Sequence, residues 1–172
     1  MNVWYPVQIR FRDLDPLAHV NNTVYFTYLE EARSYYFDQL GLEHWPTRTE
    51  DQLDPSTEEQ THTSRISTSV IGSHYGMLVK EVNCTYELPL IRSDKAEVGV
   101  HVTYVGRTSL VLEQQIRDTR LHERIFATGR TVLVWANYHT GRPQTVPPVL
   151  RAAFECMEGR TFPLPEKSKK EA

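Results

Sequence analysis

Hydrophobic and polar residues follow two different periods along this chain, and the periods predict its first elements. Val7, Ile9 and Phe11 alternate with polar neighbours, which is typical of a half-buried strand. Over Thr23–Leu40 the polar residues recur at steps of three and four on one stripe, which predicts a helix that ends before Gly41. Apolar residues cover much of the remaining circumference, so we expect other elements to wrap around this helix.

The character of the chain changes twice after the helix. Residues 43–67 are polar and acidic without a clear period, and we interpret them as a long surface insertion. Strand-like alternation follows without a second long helix; its runs are 81–88, 96–104, 109–117 and 124–135, with 70–75 as a short additional strand. Gly129 lies inside the last run, where a strand often bends around another element. A short helix over 147–157 and a solvated tail over 163–172 complete the prediction.

This order of elements predicts the fold class. One strand, one long helix and then consecutive antiparallel strands favour an α+β domain over residues 1–162, with a single curved sheet around the helix. The 172 residues are enough for one domain with a real core.

Composition narrows the function classes. The chain is 40% hydrophobic with a formal net charge of −3, and it has no basic stripe interleaved with aromatic residues, so we expect no nucleic-acid partner. Apolar runs are short and the N-terminus has no secretory pattern, so we expect no membrane association. The two cysteines, Cys84 and Cys156, have no metal-like spacing and fit a reduced, cytoplasmic protein.

The polar stretch RDLDPLAHVNNTVY joins the first strand to the helix and carries the candidate chemistry. Asp13 and Asp15 are two residues apart, so in extended chain they point to opposite sides and are not expected to share a proton. Pro16 keeps Asp15 extended. Asn21 and Asn22 stand where the helix N-cap belongs.

The start of a helix presents unpaired N–H groups and a partial positive charge, which can hold a developing oxyanion. An upstream carboxylate can supply a base or a nucleophile, so the spacing permits acyl-transfer chemistry. The spacing alone leaves Asp13, Asp15 and His19 as near equals. Plain capping by one of the two asparagines and a hydrogen-bonded loop role for His19 remain open.

Other catalytic motifs are weaker. Residues 72–76, GSHYG, misplace the serine of a nucleophile elbow by one position, and no helix is predicted after them. The seven histidines form no metal-binding motif, and there is no phosphate-loop or dinucleotide fingerprint. We therefore expect neither a metal nor a cofactor.

The same stretch resembles the hot-dog-fold acyl-CoA thioesterases of the 4-hydroxybenzoyl-CoA thioesterase type. The resemblance rests on Ile9–Asp15, His19–Asn22, Tyr25 and Tyr28–Arg33, and more loosely on Tyr86, Pro89, Gly106–Ser109, Gly141–Pro143 and Val146–Pro147. It implies a curved antiparallel sheet around the Thr23–Leu40 helix, in homodimers that join their sheets edge to edge. Whether two dimers pair further in a dimer of dimers (a homotetramer) stays open. The active sites would then lie between subunits.

The resemblance also implies roles for individual residues. Asp15 matches the family's catalytic carboxylate, as nucleophile or general base, and the backbone N–H of Asn22 matches the donor that polarises the thioester carbonyl. His19 and Asn21 are expected to orient the site and its substrate. The remaining substrate-binding positions are Tyr25, Arg107, Thr108, Ser109 and Arg142, of which the two arginines match CoA phosphate contacts.

The sequence thus predicts hydrolysis of an acyl-CoA thioester to a carboxylate and free CoA, with CoA entering as part of the substrate. Two alternatives stay open: a non-hydrolytic module that binds acyl-CoA or an acyl carrier, and a hot-dog hydratase or dehydratase. The spacing from Asp15 to His19 does not match the usual arrangement of the hydratases.

Overall fold

Five antiparallel strands form one curved sheet in the computed structural model, which describes residues 1–40 and 75–164. The strands are β1 (Val3–Val7), β2 (Tyr75–Tyr86), β3 (Ala96–Val105), β4 (Ser109–Asp118) and β5 (Ile125–Asn137). Their order across the sheet is β1-β3-β4-β5-β2. The predicted α+β class with one curved sheet is therefore confirmed, and β1 and β2 are its two edges.

Helix α1 (Asn22–Asp38) lies against the sheet, as its broad apolar surface predicts. Its buried residues Tyr25, Tyr28, Leu29, Ala32 and Tyr36 join the central hydrophobic core. Gly129 explains how close the helix comes: a Cβ at this position would lie 2.8 Å from Leu29 Cδ1. The interior glycine of β5 thus makes room for the helix.

One polar group crosses this core. Gln114, on β4, is 1% exposed; its Nε2 donates to the carbonyl of Leu29 at 2.7 Å, and its Oε1 accepts from the Thr131 hydroxyl at 2.9 Å. We expect Gln114→Leu to lower the free energy of unfolding by about 1–3 kcal/mol, because it leaves both buried partners unsatisfied. Urea denaturation should detect this loss. Gln115→Leu, at the half-buried neighbouring position, is the matched control, and an equal effect there would contradict the argument.

The prediction for the first strand was wrong at its boundaries. The strand is Val3–Val7, and Phe11–Asp13 form a 3₁₀ turn in which Phe11 is 76% exposed. The reason is local: Asp13 N donates to the Arg10 carbonyl at 3.1 Å, while the Asp13 carboxylate accepts from Arg10 N at 2.7 Å. These two bonds turn the chain before the alternating pattern is complete.

A second helix closes one end of the sheet. This helix, α2 (Pro148–Glu158), ends at Gly159, whose φ of 63° is left-handed. The guanidinium of Arg151 donates to the carbonyls of Val105 and Phe162, at 3.0 and 2.8 Å, and to that of Gly106. The helix therefore supports the turn between β3 and β4.

Other predicted features fall beyond these ranges. The insertion 43–67 lies outside the described residues, as do all of the tail after residue 164 and all of the 70–75 run except Tyr75, which begins β2. Neither α1 nor α2 is long and apolar enough to cross a bilayer, and these are the α-helices of the described residues.

Candidate active site

The loop between the 3₁₀ turn and α1 is a short hairpin held by its main chain. Asp15 N donates to the His19 carbonyl at 2.7 Å, Leu14 and Val20 form an antiparallel bridge, and Asn21 N donates to the Asp13 carbonyl at 2.8 Å. The tip of this hairpin is closed by Ala18, whose φ of 61° is left-handed. Asp15 and His19 are thus the last pair of residues joined by a backbone hydrogen bond before the tip.

The Asp15 carboxylate is oriented by this hairpin. Its Oδ1 accepts from Leu17 N at 2.8 Å and from His19 N at 3.1 Å. Its Oδ2 makes no hydrogen bond within residues 1–40 and 75–164, and the side chain is half-buried. One oxygen is therefore fixed by two amides, while the other has no hydrogen-bond partner among the described residues.

Asp13 has a different environment. It is buried, and its Oδ2 accepts from the Tyr28 hydroxyl at 2.8 Å as well as from Arg10 N. Burial raises the pKa of Tyr28, and the hydrogen bond to Asp13 adds to the rise. Asp13 thus ties the loop to α1, which is a structural role.

The start of α1 lies at the open end of the hairpin. Asn21 is the N-cap: its side-chain oxygen accepts from Thr23 N at 2.9 Å and from the Thr23 hydroxyl at 2.8 Å. Asn22 is the first helical residue, so its backbone N–H has no acceptor within the helix. Along the hairpin, Asn22 lies two backbone pairs and one further residue beyond Asp15, which corresponds to about 7–10 Å of strand length. The first unpaired N–H of the helix thus follows the Asp15 hairpin directly.

Tyr86, at the end of β2, contacts the start of α1. The hydroxyl of Tyr86 donates to the Asn22 carbonyl at 3.0 Å, and its ring meets that of Tyr25 edge-on at 5.0 Å between centroids. The Tyr25 hydroxyl accepts from Leu90 N at 3.2 Å, and burial raises its pKa. Tyr25 is only 3% exposed in the protomer, so its contacts here are internal, and its substrate-binding role stays a prediction.

His19 meets the segment that follows β2. It forms an antiparallel bridge with Ile91, and Val20 N donates to the Leu90 carbonyl at 2.8 Å. Its imidazole lines an open cleft and makes no hydrogen bond within the described part of the chain. The orientation of Asp15 therefore depends on the backbone of His19, and a role for the ring stays a prediction.

The other predicted substrate-binding residues lie at the opposite end of the sheet. Arg107 and Thr108 form the turn before β4, which begins at Ser109; the carbonyl of Arg107 accepts from Val146 N and that of Thr108 from Trp135 N, both at 2.8 Å. The carbonyl of Arg142 accepts from Asn137 N at 3.0 Å. The Arg107 and Arg142 side chains are exposed.

The two groups of residues are not brought together within one protomer. The Asp15 hairpin lies at the end of the sheet where β3 begins, beside the last residues of β1 and β4. Arg107 lies at the opposite end, in the turn where β3 ends and β4 begins. The ten residues of β4 span about 30 Å between these ends.

Sequence reasoning gave no role to the segment after β2. Leu90 and Ile91 pair with Val20 and His19 and thereby hold the hairpin against the sheet. The segment has no periodic pattern, and long-range pairing of this kind leaves no local signal in the sequence. No three His, Cys, Asp or Glu side chains cluster as a metal site in residues 1–40 and 75–164.

The two asparagines at the helix start provide a prediction on stability. We expect Asn21→Ala to lower the free energy of unfolding by about 1 kcal/mol, since it removes the N-cap bond to Thr23. Asn22→Ala should change stability by less than ~0.5 kcal/mol, because its side chain is exposed and the proposed donor is its main chain. Thermal or urea denaturation compares the two variants. Equal losses would contradict the assignment of the cap to Asn21.

Several solved protein structures are similar to this chain in sequence and fold. A thioesterase from Thermus thermophilus, solved with coenzyme A and zinc, is 30% identical over 94% of this chain and 97% of that one, with a TM-score of 0.68. A Pseudomonas aeruginosa protein is 29% identical over 88% and 95% of the two chains, with a TM-score of 0.65. A 1,4-dihydroxy-2-naphthoyl-CoA thioesterase from Synechocystis, 12% identical over 88% and 93%, shares the fold, with a TM-score of 0.68.

The comparison with curated proteins gave no match. The family model of the thioesterase-like superfamily, in contrast, matches residues 9–154 and so includes both the Asp15 hairpin and the sheet. The chain therefore belongs to the thioesterase-like superfamily, and the thioester-hydrolase class and hot-dog fold that its sequence predicts are confirmed.

Proposed function

We propose that this protein hydrolyses an acyl-CoA thioester to a carboxylate and free CoA, with Asp15 as the catalytic carboxylate. The observation that carries the proposal is the Asp15 side chain itself. Two backbone amides orient one of its oxygens, the other has no hydrogen-bond partner among the described residues, and the start of α1 lies a few residues away. Such pre-organisation is what acyl transfer requires of a carboxylate and an oxyanion donor.

Asp15 can act in this reaction either as a general base or as a nucleophile. As a general base, the carboxylate takes a proton from water while the water oxygen attacks the thioester carbonyl. As a nucleophile, it forms a mixed anhydride that water then hydrolyses. In both routes the Asn22 N–H stabilises the oxyanion, the C–S bond breaks, and the CoA thiolate takes up a proton.

CoA is supported as the carrier of the acyl group by the Thermus thermophilus relative, which was solved with coenzyme A. In this chain Arg107 and Arg142 supply exposed guanidinium groups suited to its phosphates. Thr108 and Ser109 follow Arg107 directly and would line the same region.

We propose further that the site is shared between two copies of the chain. Edge strand β2 has large exposed side chains, among them Leu78 and Val79, at 39% and 50%. An unpaired edge of this kind is suited to pairing with a second copy. Two β2 strands paired antiparallel about a twofold axis would set the Asp15 end of one sheet beside the Arg107 end of the other.

A thiol-release assay over short, long, branched and aromatic acyl-CoAs tests the proposed reaction. We expect stoichiometric free thiol with at least one acyl group. Tight binding without thiol release, or an absorbance change of a conjugated thioester without release, would contradict hydrolysis. Single-turnover hydrolysis in H₂¹⁸O, followed by mass spectrometry of Asp15, tests the nucleophilic role, because ¹⁸O enters Asp15 only when water attacks an anhydride at the Asp15 carboxyl carbon.

A further inference from the structure

A tyrosine at the end of strand β2 contacts the helix start that carries the proposed oxyanion donor. The hydroxyl of Tyr86 donates to the Asn22 carbonyl at 3.0 Å. Tyr86 pairs with Ala127 of β5, and Gly129 lies two positions further along that strand. Because residues two apart share a face of the sheet and Gly129 faces helix α1, Tyr86 also points to the helix side. The register of the sheet therefore brings Tyr86 to the helix start.

The hydrogen bond from Tyr86 completes the pairing of one peptide group, which lies between Asn22 and Thr23. Its carbonyl accepts from Tyr86, and its N–H donates to the Asn21 side chain at 2.9 Å. In the preceding peptide group, the carbonyl of Asn21 accepts from Val24 N at 2.9 Å. The Asn22 N–H is the one group of these two peptides that makes no hydrogen bond within residues 1–40 and 75–164. The surrounding bonds thus set the direction of this N–H.

Tyr86 is itself held in place by its neighbours. Its ring meets that of Tyr25 edge-on at 5.0 Å between centroids. The Tyr25 hydroxyl accepts from Leu90 N at 3.2 Å, and the Leu90 carbonyl accepts from Val20 N at 2.8 Å. Val20 belongs to the Asp15 hairpin, so Tyr86 contacts the helix start directly and is linked to the hairpin through Tyr25 and Leu90.

The Tyr86 hydroxyl is a proton donor at neutral pH. Burial raises the pKa of this phenol above its usual 10, and the Cys84 thiol adds to the rise. The Asn22 carbonyl can only accept, so the hydroxyl proton lies between the two oxygens. The hydrogen bond is therefore formed throughout the neutral pH range.

We propose that Tyr86 is a positioning residue for the reaction: its hydrogen bond to the Asn22 carbonyl holds the first turn of α1 so that the Asn22 N–H is aimed at the substrate carbonyl. This inference rests on the proposed hydrolase function and adds a residue that acts through the main chain of Asn22. An oxyanion donor is effective when its direction is fixed before the reaction. Loss of such a donor costs roughly 10²–10³-fold in kcat, and a donor that is present but less well aimed should cost less.

The test removes one tyrosine hydroxyl near each end of helix α1. Tyr86→Phe keeps the ring that contacts Tyr25 and removes the hydrogen bond to Asn22. The matched control, Tyr36→Phe, removes a hydroxyl that donates to Glu158 at 2.6 Å, near the C-terminal end of α1. Steady-state kinetics with an acyl-CoA, urea denaturation and light scattering compare both variants with the wild type.

We expect Tyr86→Phe to lower kcat about tenfold while KM stays within about twofold, because the donor is less well aimed in the transition state. Its denaturation midpoint should stay close to that of the wild type, since the side chain is 42% exposed. Tyr36→Phe should show the opposite pattern. Its denaturation midpoint should fall, because Tyr36 is buried, while kcat and KM stay within about twofold.

The carbonyl of a bound substrate reports on the donor directly. The substrate is acyl-CoA with ¹³C at the thioester carbonyl, bound to Asp15→Asn so that turnover is slow, and infrared difference spectra record the carbonyl band. A stronger hydrogen bond to the oxygen lowers the stretching frequency. We expect the band to lie at higher frequency in Asp15→Asn/Tyr86→Phe than in Asp15→Asn, and to stay unchanged in Asp15→Asn/Tyr36→Phe.

The failure of this inference differs from the failure of the proposed function. Without acyl-CoA hydrolysis by the wild type, the proposed function is wrong and the role of Tyr86 falls with it. Normal hydrolysis by the wild type with an unchanged kcat or an unshifted carbonyl band in the Tyr86→Phe proteins would overturn the positioning role alone. A rise in KM without a fall in kcat would overturn it too and assign Tyr86 to substrate binding. An equal fall in kcat for Tyr36→Phe, or a changed oligomeric state of Tyr86→Phe, would replace it with a general effect on α1 or on the subunit interface.

Discussion

Asp15→Asn should lower turnover of an acyl-CoA by on the order of 10²–10⁴-fold while the fold is retained. The asparagine oxygen can still accept from the amides of Leu17 and His19, so the hairpin keeps its geometry. The variant loses the negative charge that is proposed to act as base or nucleophile. Steady-state kinetics and circular dichroism measure the two effects separately, and an active Asp15→Asn enzyme would remove Asp15 from the mechanism.

Asp118 offers a matched control for this substitution. Its Oδ1 accepts from Arg120 N at 2.7 Å and Leu121 N at 3.1 Å, an arrangement similar to that of Asp15 in a different turn. Asp118→Asn should leave turnover unchanged.

Asp118 also provides a prediction on acid stability. The same two amides are the main cause that lowers the pKa of Asp118 below its usual 3.8. Because its folded pKa is lowered, its ionisation stabilises the fold above about pH 3.8. That contribution disappears as the pH falls through the lower, folded value. Denaturation of the wild type and Asp118→Asn should therefore differ least at the most acidic pH.

The second large effect expected is recovery of activity in mixed dimers. Asp15→Asn and Arg107→Glu should each be strongly impaired alone, the latter because it puts a negative charge where a CoA phosphate is proposed to bind. Heterodimers of the two variants, isolated with two affinity tags, should recover about half of the wild-type activity at subsaturating substrate. If each site combines Asp15 of one subunit with Arg107 of the other, the mixed dimer has one site with both native residues and one site with neither.

Sites contained within single protomers predict the opposite result, since every site of the mixed dimer would carry one defect. Tagged wild-type dimers provide the reference, and tagged dimers of Asp15→Asn alone show the background. A chain that elutes and scatters light as a monomer while fully active would also contradict the shared site.

The sequence predicted the elements whose pattern is local. Helix α1 was expected over 23–40 and is Asn22–Asp38, because one polar stripe and an asparagine cap define it. Strands β3, β4 and β5 lie within two residues of the expected bounds. The bounds predicted for the first strand were wrong because the Asp13 carboxylate accepts a hydrogen bond from the backbone of Arg10. Side-chain-to-backbone hydrogen bonds of this kind override an alternating pattern.

The candidate site was predictable only in part. Spacing indicated a candidate site in the hairpin but left Asp13, Asp15 and His19 as near equals, and the preference for Asp15 came from the family resemblance. The two amides on Asp15 Oδ1 depend on the left-handed turn at Ala18, where alanine is an uncommon residue. The hydrogen bond from Tyr86 to Asn22 joins residues 64 positions apart, and no sequence period encodes a contact of that range.

The hairpin also has an evolutionary consequence. Its contacts to Asp15 come from the main chain at Leu17 and His19, so the side chains at those positions are free to diverge without moving the carboxylate. Ala18 is the constrained member, because its left-handed backbone limits replacement mainly to glycine and asparagine. New selectivity can thus arise two residues from the acid, at Leu17, while the acid itself stays in place.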